Sequence, residues 1–226
     1  MEKIAFFGKI PTSAEFTSRG LNCEISDLLT KWIDSQLIYN RSNFINESNN
    51  DKRVWRFYIS PELMNGVGLM GVMLRSRDSV GRDYPFLLVH EASADLLIQA
   101  DLTGWFDRIA EIAIGVVLNC LSRQQLELLL ERQPVLMEVR NREDTLLTRK
   151  IVSEWSATSC GVPHTLPTTS AISFFACNLA ALGIERLFVG NSIWWRNSSS
   201  SSDCTEFVHV PRLPQANDFQ NLDSPW

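Results

Sequence analysis

The sequence has no cluster of basic residues, no long apolar run and no closely spaced pair of cysteines or histidines. Without basic blocks or basic-aromatic runs, and with a formal net charge of -5, the chain is not suited to bind nucleic acid or an anionic membrane. Pro163 and Pro167 interrupt the charge-free stretch 160–184, so its apolar part is shorter than the ~20 residues that span a bilayer. We therefore expect neither nucleic-acid binding nor membrane insertion.

The sequence also lacks the signals of secretion and of metal or cofactor binding. Glu2 precedes an apolar run too short for a signal-peptide core, so a cytoplasmic location is expected. The 5 cysteines are widely spaced without a C-x-x-C pair, and the 3 histidines form no metal-binding motif. We expect reduced thiols, no bound metal and no cofactor.

Gly8-Lys9 is the one place where a phosphate loop would be considered. That motif needs a glycine five residues before the Gly-Lys pair and a serine or threonine after it, and Lys3 and Ile10 occupy those positions. No G-x-G-x-x-G follows any strand-like run either. These spacings argue against nucleotide binding.

What the sequence does contain is a sizeable apolar content, 45%, arranged with clear periodicity. Asn22 caps a first helix, an apolar face begins a second at Trp105, a capping box begins a third at Ser122, and a fourth runs from a cap at Ser170 to Gly183. Aromatic and β-branched runs predict strands, in chain order IAFF, VWRFYIS, GVGLMGVML, YPFLLVHE, RLFVG, SIWWR and EFVHV.

The strands VWRFYIS, GVGLMGVML and YPFLLVHE have short connections and are expected to pair as an antiparallel meander. We predict an α/β fold: one domain over residues 1–226, with a mixed, largely antiparallel sheet flanked by helices in α-β-α layers. Residues 197–203 are predicted to be a flexible serine-rich loop, and residues 211–226 a C-terminal tail.

The turn SRDSVGRDYP is unusually dense in charge, with Arg77, Asp78, Arg82 and Asp83 around Gly81. It is interpreted either as a solvated hairpin turn or as a turn in which Arg77 or Arg82 presents its guanidinium to an acidic group on a partner.

Two tryptophans, Trp194 and Trp195, are adjacent in a predicted strand, so they point to opposite faces of the sheet. One of them must be covered by a helix, the C-terminal tail or a partner. A different class of function, a cysteine hydrolase, would use Cys160 and His164, which are close in sequence.

Several segments together, in order and approximate spacing, carry a resemblance to a known family. They are FFGKIPTSAEFTSRGL, WIDSQL, VWRFYIS, GVMLRSRDSVGRDYPFLL, SIWW and LPQANDFQNL. In these segments the chain resembles the type VI secretion-associated TagF family, also called ImpM. It departs from the family at Ala14-Glu15, where Gly-Asp is common.

The resemblance implies a cytoplasmic accessory protein, not an enzyme, that represses type VI secretion after translation. It implies binding to the forkhead-associated scaffold protein of that system, and the phosphatase of the threonine-phosphorylation pathway is a second candidate partner. The alternatives are the Cys160/His164 hydrolase and a structural accessory subunit of the secretion apparatus.

The residues predicted to contact a protein partner are the charged, aromatic and turn residues of the quoted segments. They are Lys9, Pro11, Glu15, Phe16, Arg19, Arg56, Asp78, Gly81, Arg82, Trp194 and Trp195. No catalytic, cofactor-binding or metal-binding residue is predicted.

Overall fold

The structure, a computed structural model, describes residues 3–39, 54–134, 188–197 and 205–219, with single positions at 136, 150 and 183. The described strands are β1 (Ala5–Gly8), β2 (Thr17–Arg19), β3 (Trp55–Ile59), β4 (Leu69–Leu74), β5 (Phe86–Glu91), β6 (Ser192–Asn197) and β7 (Thr205–Val210). The described helices are α1 (Cys23–Tyr39), α2 (Ala94–Leu102), α3 (Trp105–Leu118) and α4 (Arg123–Glu131), with short 3-10 helices at Pro61–Leu63 and Ala216–Phe219.

The strands form one seven-stranded sheet in the order β2-β1-β5-β4-β3-β6-β7, and every described pair is antiparallel. The predicted meander is confirmed, because β4 pairs with both β3 and β5. β1 then pairs with β5, and this pairing brings the first connection of the chain beside the β4–β5 connection.

Both faces of the sheet are covered by helices, which confirms the predicted layers. On one face, α1 packs Leu29 and Ile33 into a core that includes Phe57. On the other face, α3 packs Ile109 and Ala113 against strand residues of a second core, to which α2 and α4 contribute. Alternation along each strand supplies both cores, since neighbouring residues point to opposite faces.

The predicted helix starts are confirmed where the structure describes them. The Ile25 amide donates to Asn22 Oδ1 at 2.8 Å, and Ser122 and Gln125 form the predicted capping box. The sequence reasoning did not identify β2 or α2. The strand predicted over RLFVG is wrong for its described residues, because Phe188 is helical and the chain turns at Val189 and Gly190.

Residues 211–219 of the predicted tail pack onto α1 and the sheet. Trp32 Nε1 donates to the Pro214 carbonyl at 2.8 Å, and the Ala216 amide donates to Gln36 Oε1 at 3.0 Å. Phe219 is buried with its ring centroid 4.9 Å from that of Trp55. This segment therefore completes one of the two cores.

Other predictions fall on residues that the structure does not describe. They are the helix 170–183 apart from position 183, the serine-rich loop after Asn197, and positions 220–226 of the tail. Among the described helices, none is long and apolar enough to cross a bilayer.

Candidate protein-binding site

The site begins where β1 ends, at Gly8. Its φ is +127°, a conformation that L side chains rarely adopt, and a Cβ there would overlap the carbonyl oxygen of Pro85. Only glycine allows the two backbones to approach this closely. The Gly-Lys pair thus has a structural explanation: Gly8 lets the chain turn against the start of β5 and carries Lys9 to the β4–β5 connection.

Two connections meet at this end of the sheet, and we call them the loop pair: residues 9–16 between β1 and β2, and residues 75–85 between β4 and β5. The Ser79 amide donates to the Ser13 carbonyl at 3.1 Å. Arg82 Nη2 donates to the Ala14 carbonyl. The rings of Phe16 and Tyr84 also make an edge contact, with centroids 5.4 Å apart. Backbone, guanidinium and ring contacts therefore join the two loops.

Asp78 is the central residue of the loop pair, and its side chain is 0% exposed. Its Oδ1 accepts from the amides of Val80 at 3.1 Å and Arg82 at 2.8 Å. Its Oδ2 accepts from Arg82 Nε at 2.7 Å and lies 3.1 Å from Lys9 Nζ. A buried carboxylate is stable only when paired and hydrogen-bonded, and these donors meet that requirement.

The same contacts set the charge state of Asp78. Desolvation by burial acts to raise its pKa, but the hydrogen bonds from the Arg82 amide, Lys9, the Arg82 side chain and the Val80 amide outweigh burial. Together they hold the pKa of Asp78 well below its usual range. Asp78 is therefore a fixed negative charge that organises two cations.

Gly81 completes the turn that follows Asp78. The Gly81 amide donates to the Asp78 carbonyl at 3.1 Å, and Gly81 has a φ of +88° with open space where a Cβ would be. The glycine is thus required by the backbone conformation and not by crowding. It sets the positions of its neighbours, Val80 and Arg82.

Of the two arginines considered in this turn, Arg77 is already occupied. Its Nε donates to Asp83 Oδ1 at 2.7 Å and its Nη2 donates to Asp83 Oδ2 at 3.2 Å. The hydrogen bond and charge of Asp83 raise the pKa of Arg77. Arg82 is the more exposed of the two, with 57% of its side chain exposed against 47% for Arg77.

The loop pair exposes two large apolar side chains. Phe16 is 43% exposed and Val80 is 62% exposed. The ring of Phe16 rests on Phe7, with centroids 4.8 Å apart, while Val80 stands at the tip of the turn. Glu15 is exposed between Ala14 and Phe16, and Pro11 is half-buried at the start of the loop. Seven of the predicted site residues lie in the loop pair: Lys9, Pro11, Glu15, Phe16, Asp78, Gly81 and Arg82.

Four predicted site residues do not join this group. Arg19 lies on β2 and forms ion pairs with two residues of α4. Its Nη1 lies 3.2 Å from Glu127 Oε2, and its Nη2 lies 3.4 Å from Glu131 Oε1. Arg56 lies on β3, and its Nη2 donates to Asp107 Oδ1 of α3 at 2.5 Å. Both guanidinium groups make contacts between elements of the fold.

The predicted placement of Trp194 at a partner surface is corrected by its burial, whereas Trp195 is half-buried. Trp194 is 0% exposed and stacks on Phe57 at 4.8 Å between ring centroids, so it is a core residue and cannot reach a partner. Trp195 points to the opposite face, where Phe106 of α3 makes an edge contact at 4.9 Å. A helix covers the second tryptophan, which was one of the expected arrangements.

Sequence reasoning missed Val80 as a site residue, although a signal was present. Turn tips favour glycine, proline, asparagine, aspartate and serine, and a β-branched apolar residue at such a tip gains nothing for folding. Cys160 and His164 lie outside the described residues. Within the described part of the chain, no group of three or more histidine, cysteine, aspartate or glutamate residues could hold a metal ion.

The fold and the loop pair define an α/β protein with a fully antiparallel described sheet and a charged, partly apolar surface at one sheet end. The family model for the TagF N-terminal domain, described as type VI secretion system-associated, matches residues 5–132. The chain therefore belongs to the TagF family. The match includes both loops of the loop pair.

A solved structure has a similar fold. The crystal structure of PA0076 from Pseudomonas aeruginosa PAO1 matches with a TM-score of 0.67 and 22% sequence identity, covering 94% of this chain and 90% of that chain. At this identity the likeness shows the fold alone. No curated protein matches the sequence significantly.

Proposed function

We propose that this chain is a non-enzymatic, cytoplasmic regulator that represses type VI secretion after translation by binding a component of the system. The component we name is the forkhead-associated scaffold protein, and the pathway phosphatase is a second candidate partner. Membership in the TagF family supports the link to type VI secretion.

The observation that carries the proposal is the loop pair. A surface that binds a protein gains affinity when it is ordered before binding, because less conformational entropy is then lost. The buried Asp78 orders this surface through both loops, while Val80 and Arg82 remain exposed on it. Exposed apolar and arginine side chains on a rigid frame are typical of binding surfaces.

The test is capture of the purified scaffold protein by the purified full chain. Arg82→Glu should reduce capture strongly while the protein still unfolds cooperatively on heating. Lys31→Glu is the matched control, since Lys31 is exposed on α1 and the substitution changes the net charge equally. Equal capture by the wild type and Arg82→Glu would remove Arg82 from the binding surface.

Charge reversal beside Asp78 could also disturb the loops, so a second variant is needed. Val80→Asp changes an exposed side chain that makes no ion pair, and it leaves the hydrogen bond of the Val80 amide in place. Capture that survives both substitutions would overturn the proposed surface. Absence of capture by the wild-type chain would overturn the proposed partner.

A further inference from the structure

Lys9 and Arg82 converge on one atom, Asp78 Oδ2. Lys9 Nζ lies 3.1 Å and Arg82 Nε 2.7 Å from this oxygen, so the two cationic nitrogens are separated by no more than the sum of those distances. Oδ1 of the same carboxylate is occupied by two backbone amides. The group of Lys9, Arg82 and Asp78 therefore carries one excess positive charge.

Both cations keep donors that the protein does not use. An ammonium group has three N–H donors and a guanidinium group has five. Within the described residues, Lys9 uses one donor, on Asp78, and Arg82 uses two, on Asp78 and on the Ala14 carbonyl. No further acceptor for these donors is found among the described residues. The donors of Arg82 are the more accessible ones, because its side chain is 57% exposed and that of Lys9 is 15% exposed.

An apolar contact lies two residues from Arg82. Val80 is held at the tip of the turn because its amide donates to Asp78 Oδ1, and its side chain stays 62% exposed. Asp78 thus positions Val80 through one oxygen and the two cations through the other. An acidic group bound by the cations would place its neighbouring side chain near Val80.

We propose that this surface binds a protein segment in which an acidic side chain stands beside an apolar one. This inference rests on the proposed function and specifies the partner chemistry of the same site. The excess charge is matched by one carboxylate, whereas a dianionic phosphoryl group would leave the complex with unbalanced negative charge. The exposed Glu15 on the same pair of loops repels both anions, and it repels the dianion more strongly than the carboxylate.

The test uses blocked dipeptides, acetylated and amidated so that terminal charges do not contribute, titrated into the full chain. Binding is followed by NMR at the Val80 methyl groups and the Arg82 Nε–H. N-acetyl-Glu-Leu-amide should bind up to about fivefold more tightly than its Gln-Leu counterpart, as expected for a partly exposed ion pair. N-acetyl-Glu-Gly-amide should bind more weakly than the Glu-Leu probe.

Substitutions in the loop pair show which side chain causes each preference. Arg82→Gln should abolish the preference for Glu over Gln, and Val80→Ser should abolish the preference for Leu over Gly while keeping the charge preference. Glu15→Gln should keep or increase affinity for the acidic probe. Val80→Ser changes only an exposed side chain, so it still tests the preference for Leu over Gly if Arg82→Gln disturbs the loops.

Equal binding of the Glu-Leu and Gln-Leu probes would overturn the inference, and so would tighter binding of a phosphoserine-Leu probe. The outcome is separable from that of the proposed function. Capture of the scaffold without an acidic-apolar preference would contradict only this inference. The preference without scaffold capture would contradict only the named partner.

Discussion

Arg82 joins the two loops of the site through one guanidinium group, because its Nε donates to Asp78 Oδ2 at 2.7 Å while its Nη2 donates to the Ala14 carbonyl. The same side chain is more than half exposed. Arg82 therefore has a structural role in addition to the binding role that we propose for it.

Replacement of Asp78 should change the pH dependence of stability. The folded-state pKa of Asp78 lies below the ordinary 3.8, so its contribution is complete above that value and is lost as the pH falls through the folded pKa. Asp78→Asn should therefore unfold at a lower temperature than the wild type at pH 7, and the difference should narrow as the pH falls below about 4. Thermal unfolding across this range measures the effect.

Glu15→Gln is the control for that experiment, because it removes the same charge from the same pair of loops. Its carboxyl group is exposed and has no hydrogen-bond partner among the described residues. Its unfolding profile should follow that of the wild type at every pH. A constant difference between wild type and Asp78→Asn at all pH values would contradict the assigned role of Asp78.

Gly81→Ala should weaken both stability and partner capture. The residue has positive φ and open space around it, so the cost is that of backbone conformation, about 1 kcal/mol. Gly66→Ala is a matched control, since Gly66 has a φ of +84°, also with nothing near its Cβ, and lies outside the loop pair. Equal loss of scaffold capture in both variants would indicate general destabilisation instead of a specific role for the turn.

Phe219→Ala should be strongly destabilising although the residue is close to the C-terminus. Phe219 is buried against Trp55 and Trp194, and loss of a buried phenylalanine typically costs ~3–5 kcal/mol. Phe207→Ala removes the same side chain from an exposed position on β7 and should change little. Chemical denaturation of both variants compares them directly. Similar midpoints would show that residues 211–219 do not complete the core.

Arg19→Gln should leave scaffold capture unchanged and lower the free energy of unfolding by less than about 1 kcal/mol. Its ion pairs with Glu127 and Glu131 are partly exposed, and such pairs contribute little. The small loss should shrink further at high salt. A marked loss of capture at unchanged stability would return Arg19 to the partner surface.

The structural features that could be predicted are those that depend on residues close together in the sequence. Helix caps at Asn22 and Ser122 and the β3–β4–β5 meander followed from local patterns and short connections, and the structure confirms them. The strand β2 has only three residues and α2 follows β5 after a short turn, so neither carries a long periodic signal. Local patterns were also too weak to show that Phe188 is helical and that the chain turns at Val189 and Gly190 instead of forming a strand.

The candidate site was only half predictable for the same reason. Its charged turn could be recognised in the sequence. Whether a side chain can contact a partner depends on its burial, however, and burial depends on contacts between residues that are distant in the chain. Trp194 and Arg56 lie in segments from which the site residues were predicted, yet Trp194 is enclosed in the core and Arg56 pairs with Asp107 of α3. Val80, in contrast, was missed in the sequence, and its 62% exposure in the structure made it a candidate.

The helix caps, the alternation of the strands and the glycine at the charged turn depend on local backbone geometry, so they could be inferred from the sequence alone. The contact of Lys9 and Arg82 with the same oxygen of Asp78 depends on tertiary structure, because Lys9 is far along the chain from Asp78. The physical reason is the pairing of β1 with β5, which Gly8 permits by letting two backbones touch. Strand order, which no local pattern encodes, thus created the charged surface.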